Sequence, residues 1–191
     1  MEEFVRRAAE LREEADYLLS SMNLMELLRG FGTVYATGSY AYDLMTWRDI
    51  DLCLATDDLS VSSLFRLGGA IAALPDVGSM YYRNEFVMAT VGNPEAVFWC
   101  IDVYRPQGAT WKVDVLIARD AVVQEVLGPA RQMTGALTPL TREAILRVKS
   151  VVCTRPGYRR EYGSRAVYRA VLDHGVTTVE GFDAWWAAQR T

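Results

Sequence analysis
Asp49-Ile50-Asp51-Leu52-Cys53-Leu54 sets two carboxylates, one residue apart, into an otherwise apolar run, and this pair constrains the fold more than any other feature. A short apolar run of this kind reads as a strand over residues 50–55, with alternate side chains on opposite faces. Ile50, Leu52 and Leu54 then belong to a core face, while Asp49 and Asp51 share the other. Two like charges side by side are unfavourable unless a cation neutralises them or one takes up a proton. Upstream, residues 34–36 read as a short strand that stops at Gly38-Ser39. A glycine there allows a sharp turn and close approach to a ligand. Ser39 offers a hydroxyl and a backbone N–H at the start of a short helical segment over 40–46, whose first N–H groups are unpaired.

A third acid, Asp114, lies in Trp111-Lys112-Val113-Asp114-Val115-Leu116-Ile117. Val113, Val115 and Ile117 take one face of that strand and Asp114 the other. Buried charges are paired or hold metals. Beside residues 50–55, this strand brings three carboxylates together. Magnesium takes oxygen ligands and is held by one or two carboxylates plus substrate phosphates, so the trio suits two-metal phosphoryl or nucleotidyl transfer. Asp102, in Cys100-Ile101-Asp102-Val103, competes for the third position, or else orients an acceptor group.

Gly38-Ser39, the Asp49-x-Asp51 pair and the Trp-Lys-Val-Asp phrase ending at Asp114 resemble the signature of the polymerase-β-like nucleotidyltransferases. Within that superfamily they resemble the small bacterial lincosamide- and aminoglycoside-modifying members. The resemblance covers roughly residues 33–117; the C-terminal part is similar only in being helical and basic. It implies an α/β (α+β) fold, a nucleotidyltransferase-type mixed β-sheet with flanking helices plus a C-terminal helical bundle. It also implies that Gly38 and Ser39 bind a triphosphate, that Asp49 and Asp51 hold two magnesium ions, and that Asp114 holds one of them and helps activate an acceptor hydroxyl. The co-substrate is a nucleoside triphosphate, with ATP the commonest. The expected acceptor is a small hydroxylated molecule, such as an antibiotic or a biosynthetic intermediate. A protein or an RNA end is the rival acceptor, and a non-catalytic nucleotide-binding or antitoxin-like module is the rival of another class.

Charge is uneven along a chain whose formal net charge is −4. Arg142, Arg147, Lys149, Arg155, Arg159, Arg160, Arg165 and Arg169 stand against Glu143 and Glu161, a dense positive run in an otherwise acidic chain. A basic sector beside an acidic site suits a polyphosphate donor, while overall acidity disfavours long nucleic acid as the main partner. Lys149, one of only two lysines, is a candidate phosphate contact as a compact point charge, and Arg159 and Arg48 are further candidate cofactor contacts. Three scattered cysteines without a Cys-x-x-Cys suit free thiols in a reducing cytoplasm. The single histidine, His174, excludes a multi-histidine zinc site and argues against a Ser-His-Asp hydrolase. No stretch approaches the roughly 20 apolar residues of a membrane span, and the acidic start lacks a signal-peptide core. A homodimer is compatible with these features.

The chain divides into a catalytic part, residues 1–130, and a helical part, residues 131–191. Helical spacing over 3–28 predicts one long or two short helices, and 60–74 a further helix with Gly68-Gly69 inside it. Residues 80–82 and 86–91 read as strands. Residues 97–104 and 111–117 read as a strand pair joined by Arg105-Pro106-Gln107-Gly108. A short helix is expected over 120–127, and helices over 139–153, 162–174 and 178–190, the first opened by Thr138-Pro139. Tyr158 and Tyr162 are candidates to stack on a base or to pack.

Overall fold
A computed structural model gives the structure of residues 2–105 and 108–190. Pro106 and Gln107 of the expected turn lie outside the described residues; Gly108 N donates to Arg105 O at 2.9 Å across them. Among the described residues the strands are β1 (Thr33–Thr37), β2 (Asp49–Ala55), β3 (Val77–Asn84), β4 (Val97–Tyr104) and β5 (Thr110–Ala118), in the sheet order β1-β2-β5-β4-β3. β2 and β5 are parallel and the other neighbours antiparallel.

Period-2 alternation separates the faces of this sheet as the residue pattern requires. Ile50, Leu52, Leu54, Val113, Val115, Ile117, Trp99 and Ile101 pack into one cluster with helices α1 (Glu3–Ser21), α2 (Leu24–Arg29) and α4 (Val61–Ala72). Each such side chain taken fully out of water contributes roughly 1.5–3 kcal/mol. The 3–28 segment is two helices, because Asn23 adopts a left-handed φ of 54° between them. α4 starts at the Ser60 cap, whose hydroxyl accepts from Ser63 N. Its Gly68 lies against the Trp99 ring, where a Cβ would collide.

The opposite face is covered only in part. Cys53, Ala55, Leu116 and Ala118 pack against Val123 and Leu127 of α6 (Asp120–Ala136). That helix is longer than the expected 120–127. It continues through Gly128 and Pro129, held across the proline by Arg131 Nη2 donating to Gln124 Oε1 at 2.7 Å. The same face also carries Asp49, Asp51, Lys112 and Asp114.

Residues 86–91 form no strand. They open with one helical turn, α5 (Glu85–Met88). Asn84 Oδ1 accepts from Phe86 N at 3.0 Å, and the Glu85 carboxylate accepts from Thr90 N and Asn93 Nδ2. These local side-chain bonds outcompete a sheet ladder.

The C-terminal helices are α7 (Pro139–Val152), α8 (Ser164–His174) and α9 (Val179–Ala188), with a Thr138–Thr141 capping box opening α7. Their core of Ile145, Val148, Val152, Val167, Val171 and Phe182 also takes in Ala8 of α1 and Leu44. Tyr162, Trp185 and Trp186 belong to this packing. Among the described residues no helix is long and apolar enough to cross a membrane.

Candidate active site
β1 ends at Thr37, paired with Asp51, and the chain turns through Gly38 at φ 64° into the single-turn α3 (Gly38–Ala41). Glycine is needed there twice over. The left-handed conformation disfavours a side chain, and a Cβ would run into Asp51 Oδ2. Ser39 is buried beside it.

The parallel register then builds a block of four charged groups. Asp51 pairs with Asp114 across β2 and β5, and Asp49 pairs with Lys112. Pleating puts all four side chains on the same open face. Asp102 lies one strand farther out, where it accepts a 2.5 Å hydrogen bond from Ser79 Oγ. The acid adjacent to the Asp49–Asp51 pair is therefore Asp114.

Neutralisation within the block is unequal. Lys112 Nζ donates to Asp114 Oδ2 and stands 4.0 Å from Asp49 Oδ1. Burial works against the Lys112 ammonium, but its bond to Asp114 and the neighbouring carboxylates outweigh this and raise its pKa. Arg159, itself at a left-handed φ of 65°, places Nη2 3.4 Å from Asp49 Oδ2. Among the described residues the ion pairs go to Asp49 and Asp114, and none to Asp51. Desolvation, followed by the charges of Asp49 and Asp114, pushes the Asp51 carboxyl up to about 7.

Asp49 Oδ1 and Asp114 Oδ1 are buried without a hydrogen-bond partner. Such hard, unpartnered oxygens are the donors a magnesium ion takes, so the residues present fit the group. Among the described residues, though, no three His, Cys, Asp or Glu side chains are gathered ready to hold one ion. The carboxylates would draw closer together around a cation.

The three acids of the block line one end of a cavity of about 650 Å³. Gly38, Ser39, Trp47 and the three acids line that end. Phe98, Leu116 and Met133 line an apolar stretch, and Arg165, Tyr168 and Arg169 of α8 also line the cavity. Acids, a tight glycine turn and an apolar gallery thus share one space.

Two expected cofactor contacts are engaged within the protein itself. Arg48 precedes Asp49, so pleating sends it to the helix-covered side. There it clamps Glu14 of α1, with Nε 2.8 Å from Oε2 and Nη2 3.2 Å from Oε1. Lys149 is fully buried instead of facing phosphates from an exposed basic helix. Its place four residues after Ile145 puts it on the packed face of α7. Nζ donates to Leu44 O at 2.7 Å and lies 4.5 Å from the Trp47 ring centroid. Burial, outweighing the pull of nearby acids, lowers its pKa to about 8.

Much of the basic run is likewise engaged internally. Arg142 bonds Asp43, Arg147 bonds Glu143 and Arg155 bonds Asp183. Tyr158 is occupied by an edge contact with Trp47 and a 2.7 Å hydrogen bond with Ser164. Sequence reasoning missed Lys112 and Trp47. The two-residue spacing of Lys112 from Asp114 carried the signal for the first; nothing local marked the second.

No protein-family model and no curated protein matches the chain. Its fold is similar to that of solved structures. One is a cytoplasmic RNA terminal U-transferase, at 15% identity and TM-score 0.57, over 89% of this chain and 53% of that one. Another is a mutant of the Cid1 poly(U) polymerase bound to MgATP, at 15% identity and TM-score 0.50, over 73% of this chain and 42% of that one. This chain therefore spans about half the length of the structures it matches. The chain has the nucleotidyltransferase-type fold: a mixed five-stranded sheet with flanking helices, Gly38-Ser39 at the end of β1, and acids on the adjacent parallel strands β2 and β5.

Proposed function
We propose that this chain is a magnesium-dependent nucleotidyltransferase that moves a nucleoside monophosphate from a nucleoside triphosphate to an acceptor hydroxyl. The observation that carries this reading is the convergence of Asp49, Asp51 and Asp114 with the Gly38-Ser39 turn at one end of a single cavity of about 650 Å³. The neighbours' fold supports it, as does the MgATP held by one of them.

Gly38 and Ser39 hold the triphosphate by close backbone approach and the Ser39 hydroxyl. Asp49 and Asp51 supply the carboxylates for magnesium. When bound, magnesium supplies charge neutralisation at the phosphates and a lowered pKa for the acceptor hydroxyl. Asp114 takes the acceptor's proton, a role supported by its buried Oδ1 having no hydrogen-bond partner. The acceptor oxygen forms a bond to the α-phosphorus as the α–β anhydride bond breaks, and pyrophosphate leaves with that electron pair.

The acceptor we favour is the terminal hydroxyl of an RNA, because the similar structures are described as an RNA terminal U-transferase and a poly(U) polymerase. A small hydroxylated acceptor is the second reading. It is favoured by the net charge of −4 and by basic residues that are tied up in internal ion pairs instead of forming a track.

The test supplies each of the four nucleoside triphosphates with magnesium. Acceptors are a short RNA with a free 3′ hydroxyl, the same RNA with a blocked end, and a panel of small alcohols. Pyrophosphate release and product mass are measured. Extension of the free-ended RNA is expected, abolished by Asp51→Asn and by Asp114→Asn. Tight nucleotide binding without turnover on any acceptor would replace this reading with a binding module.

A further inference from the structure
The carboxylate block carries a cation of its own. Lys112 precedes Asp114 by two residues, so the pleat of β5 keeps both side chains on the same face whatever rotamers they adopt. Its Cα pairs directly with that of Asp49 on β2. The ammonium therefore overhangs the gap between Asp49 and Asp114, bonded to Asp114 and 4.0 Å from Asp49 Oδ1. Asp49's other oxygen faces Arg159. Asp51, bare of any ion pair among the described residues, is the anchor for an incoming ion, and Asp49 Oδ1, which accepts no hydrogen bond, is its second oxygen.

Composition points the same way. In a chain that uses lysine only twice, one lysine stands in this gap. A compact ammonium fits between two carboxylates as a point charge, where a planar guanidinium would demand fork geometry.

We infer that Lys112 takes the cation position between Asp49 and Asp114, so that the chain binds one divalent ion with its nucleotide, at Asp51 and Asp49, instead of two. This inference rests on the nucleotidyl-transfer reading of the same site. Lys112 is then a positioning residue. It holds Asp114 Oδ2, leaves Oδ1 without a partner, and keeps among the carboxylates a positive charge that no chelator removes.

The experiment titrates Mn²⁺ into the protein saturated with a non-hydrolysable α,β-methylene triphosphate, counting bound ions by electron paramagnetic resonance and calorimetry. One ion per chain is expected for the wild type. Lys112→Met should gain a second site at least about tenfold tighter than any second binding in the wild type, since a fixed like charge a few ångströms away is removed. Lys112→Arg, which keeps the charge, should not gain it. Circular dichroism beforehand identifies a variant that fails to fold, and the wild-type count stands as a test without the variants. Two ions bound by the wild type with the affinities of Lys112→Met would overturn this inference and leave nucleotidyl transfer standing. A wild-type protein that takes up neither Mn²⁺ nor the nucleotide analogue would overturn both.

Discussion

Replacing Asp51 by asparagine should make the metal-free protein more stable, by an amount that depends on pH. Asp51 lies against Gly38 and between two other acids. Its carboxyl is held at about 7, against an ordinary value of 3.8, by desolvation first and by Asp49 and Asp114 second. A folded-state pKa raised above the unfolded value means that the native protein prefers the protonated acid. The stability this group provides is complete below pH about 3.8 and is lost as pH rises through about 7. At 1.36 kcal/mol per pKa unit, the loss amounts to roughly 4 kcal/mol by pH 8. Asparagine is close in shape and cannot ionise, so the Asp51→Asn protein lacks this loss. Urea unfolding of both proteins in chelator at pH 4, 5.5, 7 and 8.5 measures the difference directly, and the subtraction removes every group the two share. The curves should coincide at pH 4 and separate progressively, with the variant ahead by a few kcal/mol at pH 8.5. Adding magnesium should narrow the gap by stabilising the wild type alone. A stability difference that stays flat across this pH range would refute the reasoning, because it would mean that Asp51 is solvated and ionises normally in the fold.

Lys149 titrates with the opposite sign. Its pKa is depressed to about 8 from 10.5 by burial, so the protonated lysine disfavours the fold at neutral pH and stability recovers as pH climbs towards 10.5. Lys149→Met, although it leaves Leu44 O without its donor, should be more stable than wild type at pH 7 and lose roughly 3 kcal/mol of that advantage between pH 8 and 10.5, read by chemical unfolding. Arg48→Ala should lower stability by about 1 kcal/mol through the lost, one-third-exposed Glu14 pair, with nucleotide affinity in equilibrium titration unchanged; a tenfold weaker affinity would return Arg48 to the binding site.

β2 and β5 and their faces were legible from alternation alone. Ile50, Leu52 and Leu54 could only face a core, so Asp49 and Asp51 could only face the other side. The turn at Gly38 and the helix start at Thr138-Pro139 were equally local. Pairing was not. Whether Asp114 or Asp102 meets Asp51 depends on which strand lies parallel to β2, and residues more than sixty apart in sequence carry no local trace of that register. The short helical turn at Glu85–Met88 was misread as a strand for a related reason: Phe86-Val87-Met88 has strand-like side chains, while the bonds that fold it come from Asn84 and Glu85 beside it. Lys149 shows the limit most clearly. Its charge and its helix could be read from the residues around it. Its burial under Leu44 and Trp47 comes from a loop about a hundred residues earlier, and only the packing of α7 onto that loop decided that the chain's second lysine would be a core residue while Lys112 stands among the acids.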